Sequence, residues 1–375
     1  MSVGVPMKYV DEFRDPQRAR RLIAAIHALY PAVGRPLQLM EFCGGHTQTL
    51  LRYGIERLLP EGIEMVHGPG CPVCVLPRER VDGAIALAAR PEVILATFGD
   101  AMRVPGSRQT LLQARAGGAD VRMVYSPLDA LLLARRHPER EVVFFALGFE
   151  TTMPATALTV LQAARQGVGN FSLFCNHITT LPTLRTVLDD PDMPLDGLLA
   201  PGHVSMVVGM QPFVRVAAHY RLPIVISGFE PLDMLQSLWL LLGQLAAGRH
   251  EVENQYARVV PAAGNTPGLE AMARVFGLQA AFDWDGSVAP EASGVRMREE
   301  YAHFDAGRRF PLPGRQTTMP APPQCEQVLM GRLHPQACRH FGSDCTPAAP
   351  MGALMVSAEG ACAACYHYGD RECCA

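Results

Sequence analysis

Charge is scarce in this sequence, and neither sign dominates: Asp, Glu, Lys and Arg make up 18% of the chain, with a formal net charge of -3. A dedicated binder of nucleic acid or of an anionic membrane surface is therefore not expected. Long apolar runs are missing as well. The most apolar helical stretch, Met234 to Ala247, is interrupted by Gln236 and Gln244 and is too short to span a bilayer. The opening MSVGVPMKYVDEFRD has no basic leader and no apolar segment, so no signal peptide is expected and the reading is a cytoplasmic protein. Also absent are the phosphate loop G-x-x-x-x-G-K-[ST], a dinucleotide G-x-G-x-x-G after a strand, H-E-x-x-H, a nucleophile-elbow serine and the radical-type C-x3-C-x2-C triplet. Standard NTPase, dehydrogenase and hydrolase chemistry loses its support.

The 375 residues are 49% hydrophobic, enough for two or three globular domains that need no disulfide staples. Short apolar runs ended by Gly, Pro or Asn recur at Leu37–Phe42, Ile63–Val66, Val93–Thr97 and Val121–Tyr125. A second series follows at Val142–Leu147, Phe171–Cys175, Gly197–Ala200 and Ile224–Ile226, with helical compositions between the runs. Strand-helix alternation predicts an α/β protein with parallel sheets. Taken in order, the strands give two similar lobes, residues 36–138 and 139–262, each a small parallel sheet flanked by helices. A third domain, loop-rich and cysteine-rich, takes residues 263–375, with residues 1–35 packed back against it.

Eleven cysteines in a reducing compartment point to metal binding or redox chemistry. Open parallel sheets place their functional crevice beyond the carboxyl ends of the strands, and there the chain presents Cys43-Gly44-Gly45-His46, then Cys71-Pro72-Val73-Cys74. Thiolate plus imidazole at Cys43 and His46 suits iron, copper or zinc and leaves room for exogenous ligands. The C-x-x-C between a strand and a helix is the setting of a redox dithiol whose first thiol is activated at a helix N-terminus; a structural metal knuckle is the alternative. Cys175 reads as a small buried hydrophobe. Asp100, Glu150 and Glu230, also at strand ends, either orient ligands or cap helices.

In the last stretch Cys325, Cys338, Cys345 and Cys362 are separated by 12, 6 and 16 residues. Such wide spacing in a Pro-rich segment is compatible with a cubane iron-sulfur cluster, and structural zinc is the alternative. Cys365 competes with Cys362 for the fourth position, and Cys373 and Cys374 are further thiols. A stand-alone iron-sulfur thiol-disulfide oxidoreductase and a zinc-stabilised binding module are competing functions.

The strings CGGHT at Cys43, HGPGCPVC at His67, FGDAMRVPGS at Phe98, GFETT at Gly148 and PGHVS at Pro201 resemble the hydrogenase maturation factor HypD family. SGFEPLD at Ser227, NQYARVV at Asn254, REEYAHFDAGRRF at Arg298 and EGACAAC at Glu359 extend the resemblance over nearly the whole chain. It implies a scaffold and electron-transfer component for assembling the Fe(CN)2CO unit of [NiFe]-hydrogenase, not a conventional turnover enzyme. The implied partners are a HypC-type small chaperone, a HypE-type cyanide donor and, indirectly, the hydrogenase large subunit. By the same resemblance Cys43 holds the nascent iron with His46 nearby, Cys71 and Cys74 form the redox pair, and Cys325, Cys338, Cys345 and Cys362 hold a [4Fe-4S] cluster. The chain departs from the family at Gln48, where His is common, and at Cys365, where an aromatic is expected.

Overall fold

The computed structural model describes residues 10–279, 293–312 and 323–369, so Cys373 and Cys374 lie outside the described residues. All eight expected strands form: β1 (Leu37–Glu41), β2 (Ile63–His67), β3 (Val93–Thr97), β4 (Val121–Met123), β5 (Glu141–Gly148), β6 (Phe171–His177), β7 (Gly197–Pro201) and β8 (Ile224–Ser227). A short edge strand, β9 (Val252–Asn254), and an antiparallel pair, β10 (Phe276–Gln279) and β11 (Gly294–Met297), complete the set among the described residues.

The strands are not grouped in consecutive fours. One parallel sheet runs β2-β1-β7-β8-β9 and the other β4-β3-β5-β6. Residues 36–138 and 139–262 therefore do not each build a sheet: the second sheet is inserted between the second and third strands of the first. The reason is pairing. The Met40 face of β1 is completed by β7, with Met40 opposite Leu198, whereas β3 takes β5, with Leu95 opposite Val143. Leaving out β9, both sheets have the same order, second-first-third-fourth strand, so the two lobes are alike in topology. The repeated Gly-Phe-Glu does not reflect this, since it follows the third strand of one sheet and the fourth of the other.

Period-2 alternation explains how each sheet buries both faces. Along β5, Val142 and Phe144 face a cluster with Ile94, Ala157 and Val160, while Val143 and Phe145 face the opposite way. The Val143 face shares one core with Met40, Leu198 and Ile224 of the other sheet, and Cys71, Cys74, Cys345 and Cys362 lie in that same core. The thiols are thus built into the junction of the two sheets. Phe144 is fully buried, edge-on to Phe98 at 5.5 Å between ring centroids. Phe144→Ala is expected to cost about 3–5 kcal/mol in denaturant unfolding; a cost near zero would mean this face is loosely packed.

Two further expectations need correction. The N-terminal helix, Pro16–Leu29, packs on helix Pro231–Ala246 over the outer face of the first sheet, through Ile26, Leu235 and Leu238, and does not join the cysteine-rich region. Its sequence offers one apolar stripe, and the strongly apolar 231–246 helix is the surface that needs covering. The third region also begins later than residue 263. Helix Thr266–Val275, the β10–β11 pair and Tyr301 and Phe304 close the outer face of the second sheet, leaving residues 323–369 as the loop-rich, cysteine-rich segment.

Candidate functional site

β1 and β7 are neighbours in the first sheet, and the chain order reverses between them. This is the topological switch point, where a crevice opens beyond the strand ends. Cys43 lies there, extended, as the residue before helix Gly44–Arg52. Its turn is fixed by Glu41, a fully buried carboxylate that accepts from the Cys43 backbone N–H at 2.8 Å and from the Thr47 hydroxyl. The same carboxylate is 3.0 Å from His67 Nδ1 at the end of β2. Gly70 lies against the Cys43 backbone so closely that a Cβ there would collide with it, and a Cβ on Gly44 would collide with the Glu359 carbonyl. Those two contacts bring the C-x-x-C loop and the cysteine-rich segment onto the Cys43 turn. Burial, then the carboxylates of Glu359 and Glu41, push the Cys43 thiol well above its ordinary pKa, while the backbone N–H groups of Gly45 and His46 oppose this. A thiol so placed stays protonated until a cation displaces the proton.

His46 is fully buried one turn beyond Cys43, with Nε2 3.3 Å from the Ser227 carbonyl and Nδ1 lacking any hydrogen-bond partner. Burial lowers its pKa, which keeps the ring in the neutral form that binds metals. Phe229 packs on it at 4.8 Å between centroids, and His203 stacks on Phe229 at 3.8 Å. Glu359 and Asp100 interact electrostatically nearby, each from a different segment. Sequence reasoning assigns no role to Glu41, His67, His203 or Glu359. His67, His203 and Glu359 lie inside the recognisable strings and Glu41 two residues before one, but only the pairing of β1 with β2 and β7 brings them around one turn.

Cys71 and Cys74 are joined as a disulfide, with Cα atoms 5.3 Å apart and both side chains buried. The pair is not at a helix N-terminus: it occupies a turn, and the helix starts only at Arg78, after Pro77. Activation by the helix end therefore does not apply, because that effect fades beyond the first turn. On its other side Cys74 Sγ is 3.8 Å from the Ala353 carbonyl, and an added Cβ at the adjoining Gly352 would lie 3.0 Å from Cys325 Sγ. Cys74, Cys325, Gly352 and Leu354 line a cavity of about 20 Å³.

The cysteine-rich segment folds from short turns and helix Ala361–Tyr368. Burial, followed by Cys325 and then Cys365, Cys345 and Cys338, raises the Cys362 pKa, so the other three thiols of the expected set and Cys365 lie within electrostatic range of Cys362. Cys345 Sγ receives the Met351 backbone N–H at 3.4 Å, and Cys338 Sγ is 3.6 Å from Gln324 Oε1. Cys365 faces elsewhere: its thiol, with one ring nitrogen each of His67 and His334, forms a group whose donor atoms all lie within 4.8 Å of one another.

Other strand-end residues have structural partners. Glu150 accepts from Thr180 N–H at 3.0 Å and from its hydroxyl at 2.6 Å. Glu230 caps helix Pro231–Ala246 and pairs with Arg14 at 2.6 Å, and Asp100 accepts from Ala101 N–H at 2.9 Å. Cys175 Sγ lies 3.5 Å from the Val295 carbonyl, its pKa pushed up to about 11 by burial. His177 is fully buried, with Nδ1 3.2 Å from the Gly148 carbonyl, and burial lowers its pKa to about 4. The unfolded chain binds this proton below about pH 6.5 and the folded chain only near 4, so stability falls as pH drops through that window. His177→Gln is expected to flatten this part of the unfolding-versus-pH curve, on the order of 3 kcal/mol in amplitude; an unchanged slope would assign the acid loss to other groups.

Fold and site together define an α/β protein with a thiol-imidazole crevice at the switch point of its first parallel sheet, backed by a disulfide and a cysteine-rich segment. The "Hydrogenase formation hypA family" model, HypD, matches residues 17–369. The chain is 54% identical to "Hydrogenase maturation factor HypD" of Rhodobacter capsulatus, covering 98% of this chain and 99% of the relative. It is 50% identical to the protein of that name from Escherichia coli strain K12, with the same coverage, and 51% identical to that of Azotobacter vinelandii, covering 98% of each. The chain belongs to the HypD family of hydrogenase maturation factors. Among the described residues no helix is long and apolar enough to cross a membrane.

Proposed function

We propose that this protein is the cytoplasmic scaffold and electron-transfer component on which the Fe(CN)2CO unit of [NiFe]-hydrogenase is assembled, with the iron held at Cys43. The observation that carries the reading is the continuity of three thiol groups. Cys43 at the switch point abuts the Cys71–Cys74 loop through Gly70, and Cys74 meets the segment bearing Cys325 through Gly352 and Ala353. The iron is cargo. Cys43 supplies a thiolate once the metal displaces its proton, and His46 Nδ1, buried and unpartnered, is an available neutral donor beside it. Exogenous diatomic ligands and a thiolate from a HypC-type chaperone take the remaining positions, and a HypE-type protein delivers cyanide.

Opening the disulfide takes two electrons and two protons and yields the Cys71 and Cys74 thiols; closing it returns both pairs to an acceptor. Burial shields the pair from bulk thiols, so its exchange is confined to groups that reach it within the fold. The donor set of Cys325, Cys338, Cys345 and Cys362 fits a [4Fe-4S] cluster: four thiols, two of them buried, with a backbone N–H directed at Cys345 Sγ. Held by these four cysteines, such a cluster would supply single electrons.

Iron and acid-labile sulfide analysis of protein purified without oxygen tests the cofactor. Equal amounts of iron and sulfide that disappear in Cys325→Ser support the cluster, whereas zinc without sulfide would remove it and the relay with it.

A further inference from the structure

We propose a separate metal site, distinct from both the Cys43 crevice and the four-cysteine set, in which His67, His334, Cys365 and Glu56 hold one zinc-class divalent cation. The donor atoms of His67, His334 and Cys365 come from three separate segments and all lie within 4.8 Å of one another. Zinc ligands stand about 2.0–2.3 Å from the ion, so side-chain movements of about 1 Å gather this set around it. His67 is already oriented as a ligand. Its Nδ1 is engaged by Glu41 at 3.0 Å, while Nε2 is buried with no hydrogen-bond partner on a ring that is 95% buried, 5% being exposed. A carboxylate on one ring nitrogen that fixes the tautomer and leaves the other for the metal is a recurrent arrangement in metal sites.

Glu56 provides the fourth position. Its Oε1 is 3.4 Å from His67 Nε2 and is likewise buried without a hydrogen-bond partner. The two buried atoms face each other at ion-pair distance without forming a hydrogen bond, and one cation between them satisfies both. His334 Nδ1 makes only a long, 3.4 Å contact from the Gln336 N–H, and partial desolvation, then His67, lowers the pKa of the ring. Cys365 is 2% exposed, and burial followed by Glu56 pushes its thiol up to about 12. Cation binding releases that proton, forming the metal-sulfur bond with no change in oxidation state. One sulfur, two imidazoles and a carboxylate suit zinc better than a hard cation such as magnesium.

The cation clamps helix Ala361–Tyr368 and the His334 turn to the end of β2. Glu41 extends the clamp to Cys43, because it bonds His67 through Oε1 and the Cys43 backbone through Oε2.

The test is zinc titration of protein that already carries its cluster, followed by zinc-edge X-ray absorption, at which cluster iron is silent. Expected is one zinc per chain, in a shell of one sulfur at about 2.3 Å and nitrogen or oxygen at about 2.0–2.1 Å. His334→Ala, at an exposed position that puts folding at little risk, weakens zinc affinity by about tenfold or more, and Cys365→Ser removes the sulfur from the shell. Cys43→Ala leaves both affinity and shell unchanged. A four-sulfur shell, undiminished affinity in His334→Ala, or loss of the zinc in Cys43→Ala would overturn the assignment.

Discussion

On the proposed reading, Cys43→Ala is expected to lose the Fe(CN)2CO unit entirely and to keep its iron-sulfur complement. The separation rests on position. Cys43 belongs to the β1–β7 switch point, whereas Cys325, Cys338, Cys345 and Cys362 belong to residues 323–369. Removing the thiol deletes the only cysteine on the Cys43 turn, and His46 alone, a single neutral donor, cannot retain an iron that also binds strong exogenous ligands. Folding should survive: the turn is held by the backbone, through the Glu41 contact to the Cys43 N–H and the His46 N–H bond to the Cys43 carbonyl at 2.8 Å, neither of which needs the sulfur. The check is paired analysis of the variant, infrared for the diatomic ligands and iron-sulfide content for the cluster. Joint loss of both would mean that the two sites are not independent.

On the proposed reading, Cys71→Ser is expected to abolish reversible disulfide formation and to take hydrogenase maturation down to background, while the variant still binds its partners. The serine oxygen nearly matches the sulfur in size, so the buried turn keeps its packing, but no two-electron couple remains. Thiol quantification before and after reduction reads the first effect, and maturation of a co-produced hydrogenase the second. Full maturation by the variant would make the pair a structural link. Its burial and its distance from the helix at Arg78 mean that reactivity here cannot come from a helix end. The proposed relay instead relies on the Cys74–Ala353 contact with the cysteine-rich segment.

Strand existence was legible because each run is short, apolar and ended by Gly, Pro or Asn, and all eight formed. Strand grouping was not, because sequence order says nothing about which edge of β1 a later strand will join. The return of β7 to β1, with Met40 opposite Leu198, is a contact between residues 158 positions apart. The N-terminal helix was misplaced for a similar reason: its apolar stripe fits any apolar surface, and only the folded core shows that Pro231–Ala246 lacks a cover. At the site, Cys43, His46 and the C-x-x-C stood out as rare residue types at strand ends. Glu41 and His67 did not, since a carboxylate or an imidazole at a strand's last residue is ordinary until β1 and β2 pair and set them 3.0 Å apart. Cys365 looked like a competitor of Cys362 because they are three residues apart; on the helix it instead meets His67 and His334.

The most direct test of the scaffold reading is an infrared spectrum of the protein purified without oxygen from cells that also produce the small chaperone. The region to record is that of metal-bound cyanide and carbon monoxide. The account predicts bands of both ligands that vanish in Cys43→Ala and persist in His334→Ala. Absence of those bands from a sample with bound chaperone and an intact cluster would contradict it, and would favour an iron-sulfur thiol-disulfide oxidoreductase acting on its own.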